Sequence, residues 1–194
     1  MSSDNESTRI RILKASWNLL DSNPGVAARM SDIAKKAGVS RQALYLHFPN
    51  RTELFIATTK FQDEVFCVQE MLTASREATR GVERLEAFID AWGSYIPRIF
   101  GVAKTLMVMK ETDADAALAW EDRMRDVREG CAAAVAALER DGHLSPAYAP
   151  ERATDFLWML LSIANWEHLT KNSGWSQEDY LTAMKDTAQQ ILMA

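Results

Sequence analysis

The sequence predicts an all-α protein, and three observations lead to this prediction. Apolar residues recur at spacings of three and four along most of the chain, which is the helical period. Glycine and proline interrupt that period at intervals of helix length. No convincing strand, repeat or low-complexity segment occurs. The 194 residues are 47% hydrophobic and 25% charged, as expected for one or two packed domains, and we expect about nine helices.

The first predicted helix covers residues 8–21 and is ended by the Asn-Pro-Gly sequence at 23–25. Its basic residues Arg9, Arg11 and Lys14 are either phosphate contacts or a solvated face. Its apolar stripe should pack against the two helices that follow: Ile10, Leu13, Trp17 and Leu20.

Residues 29–48 predict two short helices joined by a tight turn. Gly38 can end the first helix, because glycine adopts the positive φ that a helix exit needs. Ser40 can begin the second by accepting a hydrogen bond from the backbone N–H of Ala43. Ala34 is small enough to let the two helices approach closely. This arrangement is a helix-turn-helix, although short hairpins of this kind are also common without any function.

The second of these helices has a polar face. Arginine can bond guanine in a bidentate manner and glutamine can do the same to adenine, so Arg41 and Gln42 are candidate base contacts. Ser40, Tyr45 and His47 can reach phosphate oxygens. The helix would then lie in the major groove of DNA with its N-terminal residues at the base edges.

The segment DIAKKAGVSRQALYLHFPNRTELF resembles the DNA-binding signature of the TetR family of bacterial transcription regulators. Three positions depart from the family pattern. Arg29 occupies a position that is often Thr or Ser, so Ser31 is expected to cap the first helix, and Leu46 replaces a frequently polar residue. Arg51 replaces a frequent lysine and should keep its phosphate contact. The resemblance implies these DNA-binding residues: Arg29, Ser40, Arg41, Gln42, Tyr45, His47 and Arg51.

The charge distribution agrees with a nucleic-acid partner despite the net charge of −5. Residues 1–60 contain nine Lys and Arg against five Asp and Glu, a net charge of +4, and the remainder carries −9. A basic N-terminal module attached to an acidic domain fits this asymmetry. We expect a DNA-binding domain over residues 1–50 and a ligand-binding and dimerisation domain over residues 51–194.

A long helix is predicted over residues 51–75. Asn50 and Glu53 have the spacing of a capping box, and an apolar seam continues from Leu54 through Val65 to Leu72. This helix would connect the two domains mechanically. The remaining predicted helices cover residues 82–96, 100–110, 113–140, 152–171 and 176–192, with a bend at Pro97 between the first two.

The resemblance implies a homodimer in which the last two helices of each subunit form a four-helix bundle. The segment 152–171 is apolar almost all round and the last helix has one apolar stripe, in agreement with this, although both could instead complete a monomer core. The expected interface residues are Phe156, Leu160, Ile163, Tyr180, Leu181, Met184, Ala188 and Ile191.

The resemblance also implies a cavity for a small-molecule inducer in the second domain. Six tryptophans and nine methionines suit an adaptable apolar cavity, although most of them could be ordinary core. A mostly apolar, aromatic or polycyclic ligand is expected. The candidate ligand residues are Phe61, Glu64, Val65, Phe88, Trp92, Tyr95, Met107, Trp120, Met124, Trp158, Asn165, Trp166 and His168.

Other chemistry finds little support in the sequence. The three histidines are far apart, no Gly-rich phosphate loop occurs, and we expect no cofactor, metal or catalytic site. Cys67 and Cys131 are expected to be buried free thiols. A polar N-terminus and no spanning segment predict a cytoplasmic protein without a membrane partner.

The sequence therefore predicts a homodimeric transcription regulator, most simply a repressor that a ligand releases from a near-palindromic operator. Two alternatives remain open: a helical-bundle enzyme that acts on an apolar substrate, and a helix-turn-helix used only for protein association.

Overall fold

The computed structural model describes residues 7–22 and 28–194, so the break predicted at 23–25 lies outside the described residues. Every named element in the described part is a helix, which confirms the all-α prediction. A π-helical turn occupies His168–Asn172, and a single antiparallel bridge joins Leu144 to Met193. The α-helices are α1 Thr8–Ser22, α2 Met30–Ala37, α3 Arg41–His47, α4 Arg51–Val65, α5 Val68–Met71, α6 Thr73–Glu77, α7 Gly81–Met109, α8 Ala114–Arg140, α9 Pro150–Leu160, α10 Ile163–Glu167 and α11 Gln177–Leu192.

One compact unit, called unit 1, contains the described residues up to Phe66 together with Ile99–Arg123. The end of α7 approaches α1 closely, because a Cβ at Gly101 would overlap Asp21. The hydroxyl of Thr105 donates a 2.6 Å hydrogen bond to the carbonyl of Leu20. The fully buried side chains of the unit 1 core include Ile12, Leu13, Leu20, Ile33, Leu44, Leu54, Phe55, Val102, Leu106, Ala116 and Ala119.

The second compact unit, called unit 2, contains Cys67–Arg98 and Met124–Ala194. α7 packs closely on α11 at Gly93, where an added Cβ would lie 2.5 Å from the end of the Leu181 side chain and would displace it. The predicted boundary between two domains after residue 50 stays a prediction. The two compact units divide the chain at other positions, because α4 and the 99–123 segment share the unit 1 core. The main buried residues of unit 2 include Leu85, Ile89, Ile96, Val135, Leu138, Leu157 and Tyr180.

The long helix predicted over residues 51–75 is broken, and that prediction was wrong. α4 ends at Val65, and Cys67 adopts a left-handed conformation with φ 52°. Phe66 closes α4 by donating its N–H to the carbonyl of Gln62, and its ring packs edge-on against Trp17 at 5.4 Å between centroids. The apolar seam could not predict this break, because the spacing on either side of it keeps the helical period.

The predicted helix 152–171 is also divided. Leu161 leaves the helical conformation, and Ser162 then caps α10 by accepting the N–H of Asn165. The carbonyl groups exposed by this break are bonded by side chains. The indole N–H of Trp92 donates to Leu161 at 2.9 Å, and the Asn165 amide donates to Met159 at 2.7 Å.

Three smaller predictions need correction. The helices predicted on either side of Pro97 are one continuous helix, α7. α2 begins after Arg29 without a side-chain cap, so Ser31 does not cap it. Cys67 is exposed because it lies at the break after α4, whereas Cys131 is buried as predicted.

Candidate nucleic-acid interface

The helix-turn-helix has the local geometry that its sequence predicts. Gly38 ends α2 with φ 65° in the left-handed region, where glycine carries no Cβ penalty. The hydroxyl of Ser40 accepts the N–H of Ala43 at 3.0 Å and so fixes the start of α3. Leu44 is fully buried in the unit 1 core. Because one face of α3 is anchored in this way, its opposite face has a defined orientation.

That opposite face is exposed and polar at its N-terminal end. Arg41, Gln42 and Tyr45 are all solvent-exposed, and the Arg41 guanidinium lies 5.9 Å from the centre of the Tyr45 ring. Leu46 continues the face with 81% of its surface exposed. Successive helix residues are about 100° apart, so these four side chains cover one arc of the helix. This arc has the donors and acceptors needed at base edges and phosphates.

His47 projects from another side of α3, about 140° from Gln42. It lines a groove of about 350 Å³ in unit 1, whose wall includes the apolar residues Phe48, Ile56 and Phe61. Arg9 stacks over the Phe48 ring at 5.2 Å. His47 therefore lies outside the arc, and its contact with a phosphate stays a prediction. The groove is completed by Glu53, Ala57, Lys60 and Glu64.

Arg51 differs from the other predicted DNA contacts because it is already paired. Its Nη2 lies 2.7 Å from a carboxylate oxygen of Asp113, and its Nε donates to Asp115 at 3.1 Å. Thr52 also donates its hydroxyl to Asp115. The hydrogen bond from Thr52, with smaller contributions from Arg51, lowers the pKa of Asp115 below its usual value, so the carboxyl is ionised at neutral pH.

Arg29, by contrast, is exposed at the start of α2, and no ion pair restrains it within the part of the chain that the structure describes. It remains available for a phosphate. The acidic partners of Arg51 had not been considered from the sequence. One signal was present: Asp113 precedes an alanine-rich helix, and its carboxylate accepts the N–H groups of Asp115 and Ala116 as a helix cap does.

The candidate ligand residues are divided between the two units. Phe61, Glu64, Val65, Met107 and Trp120 belong to unit 1, and the other eight belong to unit 2. Phe61 and Glu64 line the groove beside His47, while Val65 is 48% exposed. The structure thus brings Phe61 and Glu64 together in the unit that carries the helix-turn-helix, and it brings the Trp92 and Tyr95 rings to 6.1 Å from each other in unit 2.

In unit 2 the polar atoms of several candidate ligand residues bond to the chain itself. Trp92 and Asn165 bond the carbonyls at the end of α9, as described above. The indole N–H of Trp166 donates to Gln177 at 2.8 Å, and Lys171 stacks over the Trp166 ring. His168 is exposed. Their role in ligand binding stays a prediction, but these bonds account for the polar atoms without a ligand. Phe88, Trp92, Tyr95 and Trp166 are buried, and Met124 and Trp158 are half-buried.

The predicted dimer residues also separate into two groups. Ile163, Tyr180, Met184 and Ala188 are buried within the chain, and burial raises the pKa of the Tyr180 hydroxyl. Phe156 is 37% exposed. Only the less buried residues can contact another subunit directly, and the interface itself stays a prediction. Leu160, Leu181 and Ile191 are half-buried.

Two further findings limit the kinds of site in the described residues. No three His, Cys, Asp or Glu side chains there are grouped as metal ligands would be. None of the helices that the structure describes is both long and apolar enough to cross a membrane.

Comparison with known proteins agrees with this interface. The family model for bacterial regulatory proteins of the tetR family matches residues 12–58. Residues 12–58 therefore match the DNA-binding part of the TetR family. This family consists of DNA-binding regulators rather than enzymes, and the matched residues cover α2, α3 and most of α1 and α4. The TetR signature therefore coincides with the anchored helix and its exposed arc.

Curated relatives extend the TetR similarity beyond the family model. The nucleoid occlusion factor SlmA of Marinobacter nauticus is 36% identical over 81 residues, which is 41% of this chain and 42% of that protein. SlmA of Marinomonas sp. is 38% identical over 64 residues, 33% of this chain and 32% of that protein. The chain thus spans less than half the length of either relative.

Solved structures share the whole fold. A putative transcriptional regulator from Saccharomonospora viridis, in complex with choline, superposes with a TM-score of 0.74 at 15% identity, over 96% of this chain and 97% of that one. The regulator FadR from Bacillus subtilis, in complex with stearoyl-CoA, also has a TM-score of 0.74 at 15% identity, over 92% and 96%. At this identity the likeness concerns the fold alone.

Proposed function

We propose that this chain is a homodimeric TetR-family transcriptional repressor that a small, mostly apolar molecule releases from a near-palindromic operator. The observation that carries the proposal is the exposed arc of α3. Arg41, Gln42 and Tyr45 are presented to solvent by a short helix whose start is capped by Ser40 and whose opposite face is buried through Leu44. Binding DNA would place the protein in the cytoplasm.

Each side chain of the arc has a defined chemical task in this proposal. Arg41 and Gln42 read base edges, because their paired donors and acceptors match guanine and adenine in the major groove. Tyr45 and the exposed Arg29 hold phosphates and fix the register of α3 without reading sequence. Ser40 contributes through its cap, and its hydroxyl can also approach a phosphate.

A dimer is proposed because one helix-turn-helix offers few base contacts. Two copies related by a dyad would contact half-sites about 34–36 Å apart, or a multiple of that distance. Exposed apolar residues of α9 support this: Phe156 is 37% exposed and Met159 is 55% exposed. Phe156 also stacks edge-on with Tyr148 at 5.0 Å, so its ring is already oriented.

The ligand response is proposed by analogy with the solved neighbours, two of which were crystallised with choline or stearoyl-CoA. The aromatic interior of unit 2 suits an apolar molecule. Such a molecule can release DNA only if it binds the DNA-free conformation more tightly than the DNA-bound one.

The proposed function is tested by selecting binding sites from a random duplex pool and measuring operator affinity by fluorescence anisotropy. Gln42→Ala should weaken specific binding by about 1–3 kcal/mol and relax the preference at one base pair. Gln69→Ala, an exposed glutamine of α5, is the matched control and should leave affinity unchanged. If the wild type selects no sequence, or if Gln42→Ala retains both affinity and preference, α3 does not read DNA as proposed.

The same experiment separates the alternative of a helix-turn-helix used for protein association, because such a protein would bind no duplex. Dimerisation is tested by light scattering. Met159→Glu should give monomers that lose operator binding, whereas Glu178→Gln on the exposed side of α11 should not. A wild type that remains monomeric at micromolar concentration would contradict the dimer.

A further inference from the structure

The guanidinium of Arg51 is enclosed by groups from three directions. Asp113 and Asp115, together called the acidic clamp, accept hydrogen bonds from its Nη2 at 2.8 Å and its Nε at 3.1 Å. The ring of Phe55 lies 5.7 Å from the guanidinium carbon. Only 25% of the Arg51 side chain is exposed. Arg51, which lies at the start of α4 a few residues after α3, is thus held by its own chain.

The clamp carboxylates are themselves held in place. Asp113 accepts the N–H groups of Asp115 and Ala116 at 3.1 and 3.2 Å, which caps the start of α8. Thr52 donates its hydroxyl to the other oxygen of Asp115. Because both acids have partners besides Arg51, the clamp does not depend on Arg51 for its position. A rotation of Arg51 towards another anion would leave two carboxylates behind.

The charges at the clamp decide what Arg51 can do there. One guanidinium faces two carboxylates, and the hydrogen bond from Thr52 helps keep Asp115 ionised, so the group carries a net charge of −1. A DNA phosphate that approaches this group meets net repulsion instead of an unpaired cation. Arg41, in contrast, is exposed, and its guanidinium lies over the Tyr45 ring.

We infer that Asp113 and Asp115 withhold Arg51 from the phosphate backbone and thereby set the strength of sequence-independent DNA binding. Phosphate contacts contribute to every sequence alike, whereas base contacts discriminate. Removing one phosphate contact lowers affinity for random DNA and leaves the contribution of Arg41 and Gln42 unchanged. The clamp therefore weakens binding to the operator and to competing sites by the same factor and leaves the preference between them unchanged. This inference rests on the proposed function.

The clamp also lies in a part of the chain through which a conformational change could act on Arg51. Asp113 lies in the turn between α7 and α8, and both of these helices continue from unit 1 into unit 2. A conformational change that displaced the turn would move the two carboxylates and free Arg51. Opening the clamp strengthens DNA binding and closing it weakens DNA binding, by the same amount at every sequence.

The first test is the single substitution Arg51→Gln, measured against random-sequence and operator duplexes over a range of salt concentrations. A withheld arginine contributes little, so affinity should change less than twofold and the slope of log K against log salt should stay constant. Loss of affinity for both duplexes together with a slope reduced by about 0.9 would overturn the inference, because Arg51 would then contact a phosphate in spite of the clamp.

The second test opens the clamp with Asp113→Asn and Asp115→Asn together. Asparagine caps a helix as well as aspartate does, so α8 should keep its start. Affinity for random and operator duplexes should rise by the same factor, about tenfold, and the salt slope should steepen by about 0.9. Asp122→Asn, which removes a charge from the same helix where Asp122 pairs with Lys60, is the control and should change affinity less than twofold.

The decisive comparison repeats the double substitution in an Arg51→Gln background. If the gain requires Arg51, it disappears there. An equal gain in that background would mean a general charge effect and would overturn the inference. A double variant that unfolds in a thermal melt would leave the Arg51→Gln measurement to decide. A wild type that binds no duplex contradicts the proposed function. If the double variant then binds DNA, the clamp is still supported. If neither protein binds DNA, the inference about the clamp fails together with the proposed function.

Discussion

The polar side chains of unit 1 and unit 2 have opposite environments. In unit 1, Arg41 and Gln42 extend from α3 into solvent. In unit 2, Trp92, Asn165 and Trp166 donate their N–H groups to their own chain at distances of 2.7 to 2.9 Å. An exposed polar face therefore marks a candidate interface. A buried aromatic residue with a polar atom is instead first a candidate for donating a hydrogen bond to a carbonyl left free where a helix is broken.

The sharpest contrast lies between two leucines of the same helix. Leu44 is fully buried, whereas Leu46 is 81% exposed. Leu44→Ala should lower the free energy of unfolding by about 2–5 kcal/mol, because it removes packed methyl groups and leaves a cavity. Leu46→Ala should stay within about 0.5 kcal/mol. Urea denaturation followed by circular dichroism measures both. Equal losses would mean that α3 is rotated from the orientation described.

In unit 2, Trp92→Phe tests whether the indole N–H stabilises the end of α9. The substitution leaves the Leu161 carbonyl buried without its donor, so the free energy of unfolding should fall by about 1–3 kcal/mol. Trp175→Phe, at a tryptophan that is 40% exposed, should change it little. Thermal or urea unfolding of both variants gives the comparison. If stability hardly changes while the affinity for an apolar ligand falls, Trp92 serves the ligand rather than the fold.

A serine pair sharpens the account of unit 1. Ser40 caps α3 through the N–H of Ala43, whereas Ser31 is exposed in α2 and makes no cap. Ser40→Ala should cost about 1 kcal/mol of stability and weaken operator binding, since the start of α3 loses its restraint. Ser31→Ala should do neither. The outcome that contradicts this is an equal effect of both substitutions on unfolding.

The turns and helix caps were more predictable from the sequence than the breaks within the predicted helices. The turn and caps around Gly38, Ser40 and Asn50 depend on residues three or four positions apart, so their spacing predicts them. The breaks at Cys67 and Leu161 keep the apolar period on both sides. They depend on contacts with residues distant in sequence, such as Trp17 and Trp92, which no local pattern contains.

The candidate site shows the same division. The exposure of Arg41 and Gln42 follows from the helical period once Leu44 is assigned to the core. The pairing of Arg51 with Asp113 joins residues 62 positions apart, and only the folded chain brings them together. A residue's chemistry is therefore predictable from a motif, while its partner is predictable only when the partner lies within a few helical turns.

The two cysteines provide the last and gentlest test, since they compare an exposed position with a buried one without altering the fold. Burial raises the pKa of the Cys131 thiol from 9.0 to about 12, while Cys67 lies exposed at the end of α4. The thiolate is the reactive form, so at pH 8 a disulfide reagent such as Ellman's should label Cys67 rapidly and leave Cys131 unmodified. Cys67→Ser should abolish the rapid phase, and Cys131→Ser should leave it intact. Denaturant should then release a second equivalent in the wild type. Two rapid equivalents in the native protein would mean that the interior around Cys131 opens to solvent, and the burial assigned to that part of unit 2 would have to be abandoned.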